Sequence, residues 1–150
     1  MTPVREIRIR SATLDDAAGI AEVHVASWRW ASRVLTEHTE SVLVADDGRV
    51  RGLAAYGRER DEQSESVRGE LYALYVERRV ARCGVGRALH DHAGDALRLA
   101  GHTEAVLWVL DGNERALDFY ARCGWTRSGA TMAVEFAGES RIELKLTRAL

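Results

Sequence analysis

Glu70-Leu-Tyr-Ala-Leu-Tyr-Val76 and, after an arginine-rich connection, Gly84-Val-Gly-Arg-Ala-Leu89 are the residues on which the fold turns. The first run is short, aliphatic and aromatic, the composition of a well-buried strand. From the second run onward Val85, Ala88, Leu89, Ala93, Ala96, Leu97 and Ala100 recur at helical spacing, and Gly101 suits the C′ position that ends a helix. A strand leading through Gly84-x-Gly86 into a helix gathers unpaired N–H groups and the positive end of a helix dipole at one point, which makes an anion site. A plain flexible turn into a helix is the other reading of a lone GxG. Two nucleotide motifs are excluded: a dinucleotide fingerprint needs Gly or Ala where Leu89 stands, and a P-loop needs Lys and Ser or Thr where Arg87 and Ala88 stand.

Upstream, residues Val4–Arg10 alternate aliphatic with charged side chains, as a half-buried strand does. Thr13-Leu-Asp-Asp16 resembles a capping box and opens a helix through Ile20, Val23, His24 and Ser27. Ser41–Ala45 and Val50–Tyr56 are β-rich runs around Asp46-Asp47-Gly48, a hairpin signal, and the polar residues Arg58–Ser66 read as an exposed loop. Downstream, Thr103–Leu110 is a second apolar strand, Asn113 caps a helix over Glu114–Arg122, and Gly124 closes it. Two more strands are expected near Ala130–Phe136 and Arg141–Thr147, joined by Ala137-Gly-Glu-Ser140. Strands 70–76 and 103–110 flank one helix, so a right-handed crossover makes them parallel neighbours within a mixed sheet.

A chain of 150 residues with 46% hydrophobic and 29% charged residues builds a core without disulfides or metals. No repeat or break in composition divides it, so residues 1–150 read as one domain. The 21 basic residues, nearly all arginine, are scattered and matched by 23 acidic ones, so no nucleic-acid partner is expected. No run of 18 apolar residues or signal-peptide core is present, which points to no membrane partner and a cytoplasmic protein. Cys83 and Cys123 stand alone, without a nearby histidine cluster, so no metal site is expected.

With Asn113-Glu-Arg-Ala116, Phe119-Tyr120 and Gly124-Trp125 added, the two opening runs resemble the GNAT superfamily of acyl-CoA-dependent N-acetyltransferases. The central motif is a strand, then Arg or Gln, two residues, Gly, any residue, and Gly or Ala at the helix start. The second motif is Asn-x-x-Ala-x-x-Phe-Tyr-x-x-x-Gly-Phe/Trp. Ile9–Asp16 and Ala21–Arg29 resemble the family's opening strand and helix, so the likeness covers nearly the whole chain. It implies an α/β (α+β) fold: a twisted mixed, mostly antiparallel sheet of six to seven strands, its central parallel pair splayed apart, with about four flanking helices. Three departures stand out. Ala81 occupies the usual Arg/Gln position, Arg82 the next, often Gly, and the segment between Trp30 and Ser41 is short for substrate-covering helices.

The resemblance also implies acetyl-CoA as cosubstrate, an amine acceptor and no metal; members are frequently dimers, which leaves a homodimer open. Tyr120 holds the position that protonates the CoA sulfur, and Glu70 that of a base, with a packed tyrosine and a solvated glutamate as the plainer readings. Coenzyme contacts are expected from the main chain at Leu74, Tyr75 and Val76, from Cys83, Gly84, Val85, Gly86 and Arg87, and from charge on Arg82 or Arg87. Asn113, Ala116, Phe119 and Tyr120 of the second motif complete that site, although Asn113 equally caps its own helix. His24 and Trp28, four apart on one helix face and followed by Trp30, line either an acceptor site or the core. Tyr72 and Glu70 are expected to share a strand face with Leu74, which makes Tyr72 another acceptor contact. The implied activity is acetyl transfer to a primary amine of a small molecule or amino-acid derivative by direct attack. The alternatives are a non-catalytic acyl-CoA-binding module and a protein or peptide N-acetyltransferase.

Overall fold

The computed structural model describes residues 6–23, 41–60, 68–136 and 138–150. The elements run β1 Arg8–Ser11, α1 Ala17–Val23, β2 Val42–Asp46, β3 Val50–Arg58, β4 Gly69–Val76, α2 Val85–Leu99, β5 Glu104–Leu110, α3 Glu114–Arg122, β6 Thr126–Phe136 and β7 Glu139–Ala149. One seven-stranded sheet has the order β1-β2-β3-β4-β5-β7-β6. Among the described strands only β4 and β5 are parallel; the other neighbours pair antiparallel.

Local chemistry accounts for most boundaries. The side chain of Asp46 accepts from the Gly48 amide at 2.7 Å, and Gly48 takes a positive φ of 113°, so the Asp-Asp-Gly turn closes the β2–β3 hairpin. Asp16 accepts from the Thr13 amide at 2.8 Å and is held by Arg10, fixing the turn that enters α1. Gly101 at φ 95° and Gly124 at φ 90° follow α2 and α3 in the left-handed region that ends a helix. The last two strands are longer than expected: β6 starts at Thr126, interrupted by a bulge between Arg127 and Thr131 in which Gly129 has φ 89°.

The sheet buries side chains on both faces at β2 and β3, whereas β6 and the start of β7 are largely exposed. Beneath α2 and α3 lie Leu43, Ala54, Leu71, Leu107, Leu144 and Leu146, and α2 contributes Val85, Leu89, Ala93 and Leu97 at its every-fourth positions. On the other face Val42, Val44, Leu53 and Ala55 pack with Ala17 and Ile20 of α1. Two expectations need correction here. The polar run after β3 is not simply exposed: Glu59 is buried, held by Arg68 at 2.8 and 2.9 Å and by Lys145 at 3.0 Å, because two cations compensate its desolvation. Tyr72 and Glu70 do not share a face with Leu74. Ala73 pairs with Ala55 and Leu71 with Tyr56, so Tyr72 is an extra residue, and this bulge shifts the alternation by one. Leu71 and Leu74 therefore both face α2, while Glu70, Tyr72 and Ala73 face the α1 side.

His90 is buried in α2 and ties it to the segment after α3. Its Nε2 accepts from the Trp125 indole N–H at 2.9 Å, so its proton sits on Nδ1, which donates to Asp91 at 2.9 Å. Burial lowers its pKa, the more so because a second ring proton would face the indole donor. The unfolded chain takes up this proton at about pH 6.5 and the folded chain only at lower pH, so the stability tied to His90 falls as pH drops below about 6.5. His90→Gln accepts and donates in the same directions without titrating, so the fall in urea midpoint between about pH 7.5 and about pH 5.5 is expected to be shallower than in the wild type. Equal slopes would show that the folded protein protonates His90 freely.

Candidate functional site

Parallel pairing between β4 and β5 is confined to Gly69↔Ala105 and Glu70↔Val106; beyond these pairs the strands part. The Glu77 amide donates to Arg51 O at 2.7 Å, toward β3. By strand alternation the Tyr75 amide also faces β3, whereas the Leu74 and Val76 amides face the split. Of the three main-chain donors expected there, two are thus aimed across the gap. The Tyr75 side chain extends on the α1 side, on the face of its partner Leu53.

The connection from β4 to α2 is a tight series of turns. Ala81 N–H donates to Arg78 O at 3.2 Å and Cys83 N–H to Val80 O at 3.2 Å, so the Cys83 amide is spent within the loop. The first i→i−4 bond of α2 runs from the Ala88 amide to Gly84 O at 3.0 Å, which leaves the Val85, Gly86 and Arg87 amides at the open helix end. Arg82 at φ 68° and Gly84 at φ 81° turn the chain into the helix. A Cβ on Gly84 would meet nothing within 4 Å, and one on Gly86 would stand 3.5 Å from Val76 and 3.7 Å from Phe119. Cys83 is exposed and Cys123 buried, and both are free thiols.

A cavity of about 960 Å³ joins this helix end to the split, between Leu74 and Val76 of β4 and Asn113, Ala116, Phe119 and Tyr120 around α3. Among the described residues Arg78, Arg82, Arg87, Arg115 and Arg122 line it, against a single acid, Asp118. Arg78, Arg115 and Arg122 were not legible as site residues, because each reads as an ordinary surface arginine until the fold brings it to this rim. The Asn113 side chain accepts from the Ala116 amide at 3.3 Å, so it caps α3 while bordering the cavity. Phe119, Tyr120, Trp125 and His90 pack edge to face, with centroids 5.4 to 6.2 Å apart, and this cluster sets the Tyr120 ring against the cavity. Burial pushes the Tyr120 phenol well above its ordinary range, with further upward pressure from Tyr75 and Cys123.

On the α1 side of the split, Glu70 is 2% exposed and both its oxygens are engaged. The Arg60 amide donates to Oε1 at 3.1 Å and the Arg60 guanidinium to Oε2 at 2.8 Å. The same guanidinium lies 4.6 Å over the ring of Tyr72, whose hydroxyl donates to Arg58 O. Arg60 thus binds two residues expected to meet substrate. His24, Trp28 and Trp30 lie outside the described residues. Among the described residues no group of three or more His, Cys, Asp or Glu could hold a metal ion, and no helix is long and apolar enough to cross a membrane.

Residues 4–125 match the acetyltransferase (GNAT) family. The uncharacterized N-acetyltransferase YuaI of Bacillus subtilis (strain 168) is 34% identical, across 77% of this chain and 78% of that protein. Among solved structures, the ribosomal-protein-alanine N-acetyltransferase of Brucella melitensis superposes with a TM-score of 0.81 at 21% identity, covering 95% of this chain and 99% of that one. yncA of Salmonella typhimurium, solved with its cofactor acetyl-CoA, gives 0.78 at 21% identity, covering 96% and 94%. These two likenesses are of fold.

Arg82 holds a left-handed conformation that costs a side-chain-bearing residue about 1 kcal/mol, and it does so at the cavity rim. Arg82→Gly is therefore expected to raise stability by about 0.5–1 kcal/mol in urea unfolding while weakening coenzyme A binding about tenfold in calorimetry. A variant with improved stability and unchanged affinity would remove the guanidinium from the site.

Proposed function

This chain belongs to the acetyltransferase (GNAT) family of enzymes, and from that premise we propose that it transfers the acetyl group of acetyl-CoA to the primary amine of a small molecule or amino-acid derivative, in one ternary complex. The single observation that supports this most is the parting of β4 from β5 beside an arginine-lined cavity that ends at Tyr120. Acetyl-CoA brings a thioester carbonyl open to attack by nitrogen, and a thiolate that leaves.

The residues present suit that cosubstrate. The Val85, Gly86 and Arg87 amides and the helix dipole of α2 hold the diphosphate, with Arg82 and Arg87 adding charge where Ala81 adds none. The Leu74 and Val76 amides take the place of β-sheet partners for the pantetheine arm and the thioester oxygen. Ala116 and Phe119 form the apolar wall, and Asn113 the polar end, of the same channel. Holding both reactants in attack geometry supplies several kcal/mol, on the order of 7–11 in well-oriented model reactions. Tyr120 donates its proton to the departing sulfur; its raised pKa keeps it protonated beyond about pH 10, so it is no source of an alkaline limb below that pH. Glu70, the other residue expected to be catalytic, has both oxygens on Arg60 and could reach an amine only by shedding it.

A thiol-release assay with acetyl-CoA against small amines, amino-acid derivatives and short peptides tests the reading. Turnover with the small acceptors is expected; calorimetric binding of acetyl-CoA without any turnover would instead identify a binding module, and turnover confined to peptides would reassign the acceptor class. Tyr120→Phe is expected to lower kcat by about 100-fold with coenzyme affinity nearly intact. An undiminished kcat would take the proton-donor role away from Tyr120. Gly86→Val places methyl groups in the channel between Val76 and Phe119, so coenzyme A affinity is expected to fall more than about tenfold. Retained affinity would move the diphosphate elsewhere.

A further inference from the structure

Glu143 sits on β7 opposite Leu110, the last residue of β5, where the split is open; Glu70, opposite Val106, stands where it is closed. Leu144 and Leu146 point into the core beneath α2 and α3, so Glu143 and Lys145 point to the α1 side, the face that also carries Glu70 and Tyr75. Charges on this face influence one another across the parted halves of the sheet. Glu143 acts on the Tyr75 phenol, and Arg60 and Glu70 act on Glu143 in opposite senses.

Among the described residues, the charged groups beside it on β7 and Arg60 across the split have partners. Arg60 is taken by Glu70, and Lys145 by Glu59, with its ammonium 5.5 Å from the centre of the Trp108 ring. Arg141, two residues earlier on β7, pairs with Glu139 at 3.1 Å. On β6 the neighbour is apolar, since Met132 is paired with Glu143. The Glu143 side chain is half-buried and, among the described residues, has no hydrogen-bond or ion-pair partner. A carboxylate drawn out of water without a counter-charge is unfavourable and is relieved by a proton or a cation. Burial does push the Glu143 carboxyl above its ordinary range.

We propose that Glu143 is the carboxylate that receives the ammonium group of the acceptor and takes its proton; this rests on the acetyl-transfer reading above. The ammonium gives one proton to Glu143, and the resulting amine forms the C–N bond while the C–S bond breaks. Tyr120 protonates the sulfur and is reprotonated by the second proton lost from nitrogen. The proton on Glu143 then passes to solvent as the amide leaves, which balances the reaction. Glu70, with both oxygens on Arg60, positions the closed end of the split and does not take the amine proton directly.

Propylammonium chloride, with 1-propanol as the neutral isostere and sodium chloride as the ionic control, probes the site by amide chemical-shift titration of the whole chain. Wild type is expected to bind propylammonium with shifts at Tyr75 and Leu110 and to ignore propanol. Glu143→Gln is expected to weaken that binding at least fivefold without loss of thermal stability, and Glu143→Asp to restore part of it. With an acceptor that is turned over, Glu143→Gln is expected to lower kcat/KM at least tenfold and to remove the acid limb of its pH profile. Equal propylammonium binding by wild type and Glu143→Gln, or none by either, overturns the assignment. Glu143-dependent binding in a protein that transfers no acetyl group would sink the catalytic reading and the proton step while leaving the ammonium site.

Discussion

A β-strand leaves half of its main-chain groups to the neighbour on each side, so a strand that loses one neighbour must place those groups elsewhere. In this protein β4 keeps β3 along its length but holds β5 for only two register pairs. The Tyr72 bulge lies just past those pairs, and a bulge bends its strand and strengthens the local twist. That bend turns the C-terminal half of β4 away from β5 and leaves the Leu74 and Val76 amides facing a gap. The gap that the cavity reaches follows from this one interruption.

The rest of the fold holds the interruption open. Arg51 binds Asp47 and Glu77, Arg49 also reaches Glu77, and the Glu77 amide returns to β3, so the end of β4 is pinned before the chain turns into the loop. From that anchor the short turns through Val80 and Cys83 deliver α2 with its amides toward the cavity. At the far wall the cluster of His90, Phe119, Tyr120 and Trp125 locks α3 against α2, and so fixes the phenol near the split. Electrostatics then divide the gap. Arginines gather on the side of α2 and α3, where phosphates suit them, while on the α1 side Arg60 and Lys145 are paired with Glu70 and Glu59.

Local signals carried far along this chain. Asn113 and the apolar periodicity after it marked α3 at Glu114–Arg122, and the Asp-Asp-Gly turn, the glycine ends of both helices and the parallel pair with its crossover were legible in the same way. Helix caps, turns and periods are set by a few neighbouring residues, so their physics is visible in a short window. Three features were not. The bulge at Tyr72 arises from pairing with β3, the burial of Glu59 from a lysine 86 residues away, and the hold of Arg60 on both Glu70 and Tyr72 from the return of the chain after β3.

What the order of residues determined by itself was the strand–glycine–helix unit, the second motif ending in Gly124-Trp125, and hence the family and the cosubstrate it implies. Those depend on backbone conformation and short-range spacing, which neighbouring residues dictate. Only the tertiary structure decided which amides look across the split, which arginines meet at the cavity rim, and which carboxylates on the α1 side are held by cations. Each of these is a property of strand register and of charges distant in the chain, and a linear sequence does not contain the distance between two side chains until the sheet has been assembled.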